Sequence, residues 1–139
     1  MTLTDCLQES TMTLAYWCVL IALFLPYLCA VLAKYASGQF SQSANHDPRA
    51  FLETLKGLPR RANAAQLNSF EITPAFAAAV IIAHLAGGAQ QSTLNMLAVA
   101  FVLSRLAYIA CYLADWARLR SLVWALGMAL IVALFVAGA

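Results

Sequence analysis

The stretch EITPAFAAAVIIAHLAGGAQQSTLNMLAVAFVLSR, residues 71–105, opens on an acid and closes on a base. Between them, from Ile72 to Ser104, there is no Asp, Glu, Lys or Arg. Gly87-Gly88-Ala89-Gln90-Gln91-Ser92-Thr93 reads as a short polar turn between two apolar runs. Each run, extended outward, approaches the ~20 residues that a helix needs to cross a bilayer. Glu71 and Arg105 therefore sit inside spans. A charge at membrane depth is costly, so it faces the protein interior, pairs, and marks a site. The competing reading is an ion pair that only staples two helices.

Composition agrees with a membrane chain. Of 139 residues, 63% are hydrophobic and 10% charged, where a soluble domain carries about 25% charged residues. The length suits one compact domain, residues 1–139. A net charge of +2, with the charges scattered, argues against nucleic acid as a partner. Four spans are readable, at about 13–33, 62–86, 94–114 and 121–138. The fold expected is all-α: an antiparallel four-helix bundle integral to the membrane. Pro26 is expected to bend the first span, because it removes a backbone hydrogen bond and crowds the preceding turn. Asp5 and Glu9 stand where a signal peptide has its positive region, so the first span reads as a retained helix.

Basic residues set the orientation. Lys34, Arg49, Lys56, Arg60 and Arg61 lie between spans one and two, and Arg118 and Arg120 between spans three and four. The positive-inside rule makes both segments cytoplasmic and puts both termini on the other side. The first cytoplasmic loop, about 36–59, holds Asp47-Pro48, a helix-start signal. Phe51, Leu52 and Leu55 then share one face, and Gly57 ends the turn. This reads as a short amphipathic helix on the membrane surface, with a fresh helix starting at Arg60 after Pro59.

Cys6, Cys18, Cys29 and Cys111 lack metal spacing, and His46 and His84 are isolated, so no metal site is expected. Cysteines within spans act as small apolar residues. Two alanine ladders, Ala75-Ala79-Ala83 and Ala125-Ala129-Ala133-Ala137, let helix backbones approach closely in lipid. The neighbour can be in this chain or in another.

Polar residues in the middle spans follow helical spacing. Arg61, Asn68 and Glu71 share a face of span two, while Gln66 lies near that depth on another side. Arg105, Tyr108 and Tyr112 share a face of span three. Glu71 lies ten residues in from Arg61, and Arg105 ten residues in from Asp115. At ~1.5 Å per residue both are roughly 15 Å deep, so a direct Glu71–Arg105 pair is expected. Asn68, Tyr108, Tyr112, Arg120 and Ser121 lie on the cytoplasmic side of it. Together they can hold an anionic, peptide-like molecule. Arg and Ser donors favour the charged form of a bound thiol. Alternatively, Arg118 and Arg120 only anchor the fourth helix at the headgroups.

These residues also resemble a known family. Arg61-Ala62-Asn63-Ala64-Ala65-Gln66-Leu67-Asn68-Ser69-Phe70-Glu71-Ile72-Thr73-Pro74 is similar to the signature of the MAPEG family, the membrane-associated proteins of eicosanoid and glutathione metabolism. Arg105-x-x-Tyr108-x-x-x-Tyr112, followed by Leu119-Arg120-Ser121, resembles the family's third-helix and fourth-helix motif. The chain looks like a bacterial-type member. The resemblance implies a homotrimer in a bacterial inner membrane, with glutathione as co-substrate held between protomers. It implies glutathione ligands at Gln66, Asn68, Glu71, Tyr108, Tyr112 and Arg120. Arg120 and Ser121 fall where the family's synthases stabilise the thiolate, with Tyr112 assisting. Arg105 falls on the family's helix-three arginine.

The function expected is a glutathione-dependent transferase or peroxidase acting on a hydrophobic small molecule dissolved in the lipid bilayer. The chain departs from the family pattern at Ala64, where the synthases have an arginine, and near Lys34, where another family arginine stands. A lysine is a poorer match to a carboxylate than a guanidinium fork. Ala64 favours the alternative, a non-catalytic lipid-binding or scaffolding trimer.

Overall fold

The computed structural model describes residues 12–139. Asp5, Cys6 and Glu9 lie outside the described residues. Five helices follow in order: α1 (Leu14–Ser37), α2 (Pro48–Glu53), α3 (Gly57–Ala86), α4 (Gln91–Leu113) and α5 (Ala117–Gly138), and no strand occurs among the described residues. All but α2 are long and apolar enough to cross a membrane. Their outward faces are apolar too. Leu28, Leu122 and Val136 are each more than 60% exposed, a surface suited to lipid.

The helices run longer than the apolar spans because polar residues belong to their ends. Gly57 does not close α2. It opens α3, so Pro59, Arg60 and Arg61 form the first turn of a spanning helix. Proline is tolerated there because first-turn N–H groups have no intrahelical partner. Asp47 caps α2 as expected, accepting from the Ala50 N–H at 3.1 Å. The apolar face of α2 lies on protein as well. Leu52 and Leu55 are buried with Ala33 and Ala62, and Phe51 and Leu113 pack against them. That cluster gathers the end of α1, the start of α3 and the end of α4 at one end of the bundle, with the basic residues.

The opposite end is tied by polar contacts. Asn95 Oδ1 accepts from the Ala15 N–H at 3.0 Å and from Gln91 Nε2 at 2.9 Å. His84 Nδ1 lies 3.0 Å from Gln91 Oε1. Gly138 meets α3 so closely that a Cβ there would lie 2.6 Å from Ala83 Cα. Ala79 and Ala83 thus pack within the chain, whereas Ala75, Ala125 and Ala129 stay exposed. Between the two ends the core is built on Phe76 and Phe101, stacked at 3.9 Å with 12° between their planes.

α1 continues through Pro26. Proline has no N–H, so the Ala22 carbonyl loses its usual helical donor. The Thr73 hydroxyl donates to the Ser69 carbonyl at 2.6 Å and lies only 3.4 Å from the freed Ala22 carbonyl, a weak second contact. Cys18, Cys29 and Cys111 are free and buried, as small apolar residues in spans should be.

Candidate functional site

Arg105 is the largest fully buried side chain in the structure, at 2% exposure. Helical spacing on α4 turns it toward α3, where its Nη2 donates to Asn68 Oδ1 at 2.8 Å. Ser69 Oγ lies 3.4 Å from the same nitrogen. Asn68 Nδ2 in turn donates to Glu71 Oε2 at 3.4 Å. The direct Glu71–Arg105 pair expected from matched depth is therefore corrected. Only Nη2 of the guanidinium has hydrogen-bond partners, Asn68 and Ser69, while Nε and Nη1 have none, so no nitrogen bonds Glu71. The physical reason is one turn of helix. Asn68 sits three residues before Glu71 on the same face, and a carboxamide can accept from a cation while donating to an anion. Glu71 stays exposed at mid-span.

From Arg105 a ladder continues toward the basic end. The guanidinium carbon lies 4.1 Å from the centre of the Tyr108 ring. Tyr108 meets Tyr112 edge to face at 5.6 Å. The Arg120 guanidinium lies 4.2 Å from the centre of the Tyr112 ring. Glu71, Asn68, Arg105, Tyr108, Tyr112 and Arg120 therefore form one contiguous series across α3, α4 and α5. Stacked against an aromatic face, each cation keeps both attraction and orientation.

A turn aims the last rung. Asp115 has φ +62°, and the Trp116 N–H bonds the Cys111 carbonyl at 2.9 Å. This reverses the chain within a few residues and brings Arg120 over α4. Arg120 is half-buried, whereas Arg118 is exposed. Arg61 crosses beneath the turn, its Nε donating to the Leu113 carbonyl at 3.1 Å. Ser121 is next to Arg120 in sequence, but its hydroxyl bonds the Ala117 carbonyl at 3.1 Å. It must leave that bond to serve a ligand.

Two expected residues stand apart. Gln66 faces a different cleft, with Tyr27 of α1 and Arg49 and Glu53 of α2. Two residues on a helix are about 200° apart, so Gln66 and Asn68 cannot share a face. Lys34 turns to the loop, its ammonium 4.6 Å from the centre of the Phe40 ring. Sequence reasoning missed Ser69, which supplies the second oxygen to Arg105. Its signal was adjacency to Asn68 in a face that must satisfy a buried cation.

A family model for the MAPEG family matches residues 14–139. The chain belongs to the MAPEG family. It is accordingly an integral, multi-pass membrane protein whose four long helices lie in a lipid bilayer. Comparison with curated proteins and with solved structures returned no match. The MAPEG family includes glutathione transferases and peroxidases beside members of other kinds.

Proposed function

We propose that this MAPEG protein is a glutathione-dependent transferase or peroxidase acting on hydrophobic electrophiles. The observation that carries the reading is the ladder ending on Arg120, a half-buried guanidinium held against Tyr112. Asn68 and Glu71 offer an amide and a carboxylate to the peptide. Arg120 favours the thiolate over the thiol, and Tyr112 can donate to the same sulfur. In conjugation the sulfur forms a bond to an electrophilic carbon, whose leaving group or opened ring oxygen takes the electron pair. The apolar partner arrives from the bilayer.

The site is completed between copies. Glu71 lies exposed in a spanning helix, with Ala75 and Ala78 exposed on following turns. A carboxylate facing lipid is expensive, and small residues admit a close helix. A homotrimer covers this face and brings another protomer to the ladder. In the bilayer we place the helices antiparallel, the basic end in the cytoplasm and both termini opposite, in a bacterial inner membrane.

Isothermal titration of detergent-purified protein with glutathione tests this reading. Saturable binding that weakens in Asn68→Ala supports it. No binding up to about millimolar glutathione, a weak −4 kcal/mol, sinks it. One observation favours a second reading, a non-catalytic lipid-binding or scaffolding trimer. Ala64 puts a methyl group, half-buried, where the family's synthases have a cation for a glutathione carboxylate.

A further inference from the structure

The last four carbonyls of α4, Ala110 to Leu113, have no partner within the helix. Three of them are met by the turn that follows. The Ala110 carbonyl accepts from the Ala114 N–H at 2.9 Å, that of Tyr112 from Asp115 at 3.2 Å, and that of Cys111 from Trp116 at 2.9 Å. With Asp115 at φ +62°, the last two bonds make a Schellman turn. That leaves the Leu113 carbonyl. Among the described residues its donor is Arg61, half-buried, through Nε at 3.1 Å. A cation at a helix C-terminus also meets the negative end of the dipole. Arg61 belongs to α3, so this bond ties the α4–α5 turn to another helix.

The tie joins the two halves of the site. On one side, Asn68 and Glu71 follow Arg61 along the same face of α3, about 10 and 15 Å away. On the other, Tyr112 immediately precedes Leu113, and the Trp116 carbonyl accepts from the Arg120 N–H at 2.9 Å. Arg120 is thus two backbone hydrogen bonds from the end of α4: Cys111 to Trp116, then Trp116 to Arg120. We infer that Arg61 is a positioning residue, which sets the Arg120 guanidinium over Tyr112 by holding the Leu113 carbonyl. Its effect on rate rests on the glutathione reading above, whereas the tie itself does not. Arg61 acts through the turn and touches no reactant. Without it the Leu113 carbonyl has only water to turn to, and the turn that aims Arg120 is free to shift against α3.

The test compares two substitutions in the full-length protein. Gln carries an N–H at the same number of bonds from Cα as the arginine Nε, and Met has a stem of similar length with no donor. Reaction of glutathione with chlorodinitrobenzene gives the rate, and the absorbance of the bound thiolate gives its charge state. Arg61→Met should lower kcat on the order of 10²-fold, the cost of a misplacement of about 1 Å. The thiolate signal should fall with it, while KM for glutathione holds. Arg61→Gln should recover most of both. In an Arg120→Ala background Arg61→Met should cost little more, because the two act as a unit. Arg60→Met, an exposed neighbour, should change nothing. A raised KM with kcat unchanged would mean that Arg61 binds the peptide itself, and overturns the inference. So do losses that add in the double variant, or a folded Arg61→Gln that stays slow. A second readout needs no ligand. With fluorotyrosine incorporated, the Tyr112 fluorine resonance, assigned with Tyr112→Phe, should move in Arg120→Ala, move likewise in Arg61→Met, and stay in Arg61→Gln. A resonance unmoved in Arg61→Met overturns the tie whatever the enzyme does. If it moves while the wild type neither binds nor conjugates glutathione, the tie stands and the glutathione reading falls.

Discussion

Removing the Asn68 amide while keeping Glu71 and Arg105 separates a relay from an ion pair. In Asn68→Ala the buried guanidinium keeps the Tyr108 ring and, of its hydrogen bonds, only the 3.4 Å contact to Ser69. Breaking a hydrogen bond to a buried charge costs about 3 kcal/mol. Glu71→Gln should matter much less, because within the protomer Glu71 hydrogen-bonds Asn68 and not the guanidinium, and Gln keeps an acceptor there. Unfolding of both variants in mixed micelles reads the order, and a larger loss for Glu71→Gln would restore the direct pair. Arg120 makes a separate prediction. Arg120→Ala should slow conjugation of an apolar electrophile on the order of 10²–10³-fold, the loss typical of one preorganised donor. Arg118→Ala should retain the rate. Equal rates in both variants would make Arg120 a headgroup anchor. Spacing alone made Asn68, Glu71, Arg105, Tyr108 and Tyr112 legible, since polar residues three and four apart in an apolar span must share a face, whereas Arg120, on another helix, entered through its charge and the family resemblance. It could not show which of two polar neighbours, Asn68 or Glu71, meets Arg105. Depth fixes the level of a residue, whereas one helical turn decides the contact. Gln66 was separable from Asn68 by helical angle, but the family pattern grouped them.

At the level of the elements, the α4–α5 turn is the place to probe. Among the described residues Asp115 alone is a non-glycine with positive φ. A left-handed residue other than glycine costs roughly 1 kcal/mol. Asp115→Gly should therefore raise the unfolding midpoint while keeping Arg120 over Tyr112. A lower midpoint would mean that the carboxylate contributes more than the backbone strain removes. The spans themselves were readable because lipid rewards unbroken apolar length. Their ends were not. Pro59 reads as a boundary in sequence, yet in the first turn of α3 it forfeits no hydrogen bond. Similarly, α2 was visible from Asp47-Pro48 and its apolar spacing. Its seat against Ala33 and Ala62 depends on contacts between segments that sequence order does not reveal.

For the whole molecule, native mass spectrometry in mild detergent checks the trimer. A trimer is expected, and a clean monomer or dimer under the same conditions contradicts it. Substituting Ala75 with Phe should break the trimer before it disturbs the fold, because Ala75 is exposed on the same α3 face as Glu71. Retention of the trimer in that variant would move the contact to another face.

The burial of Arg105 also bears on biogenesis. Its oxygen partners, Asn68 and Ser69, both belong to α3. As it enters the bilayer by itself, α4 carries an unanswered guanidinium, which disfavours insertion by about 2.5–3.5 kcal/mol. The short α3–α4 turn then has a second office, keeping the preceding helix at hand during synthesis. Integration of α4 should be poor when it is presented alone to a translocon, efficient behind α3, and independent of α3 in Arg105→Leu. Efficient solo integration of wild-type α4 would remove the requirement. With it in force, the two helices enter the membrane as one unit, and the side chain that organises the finished site also sets the order of assembly.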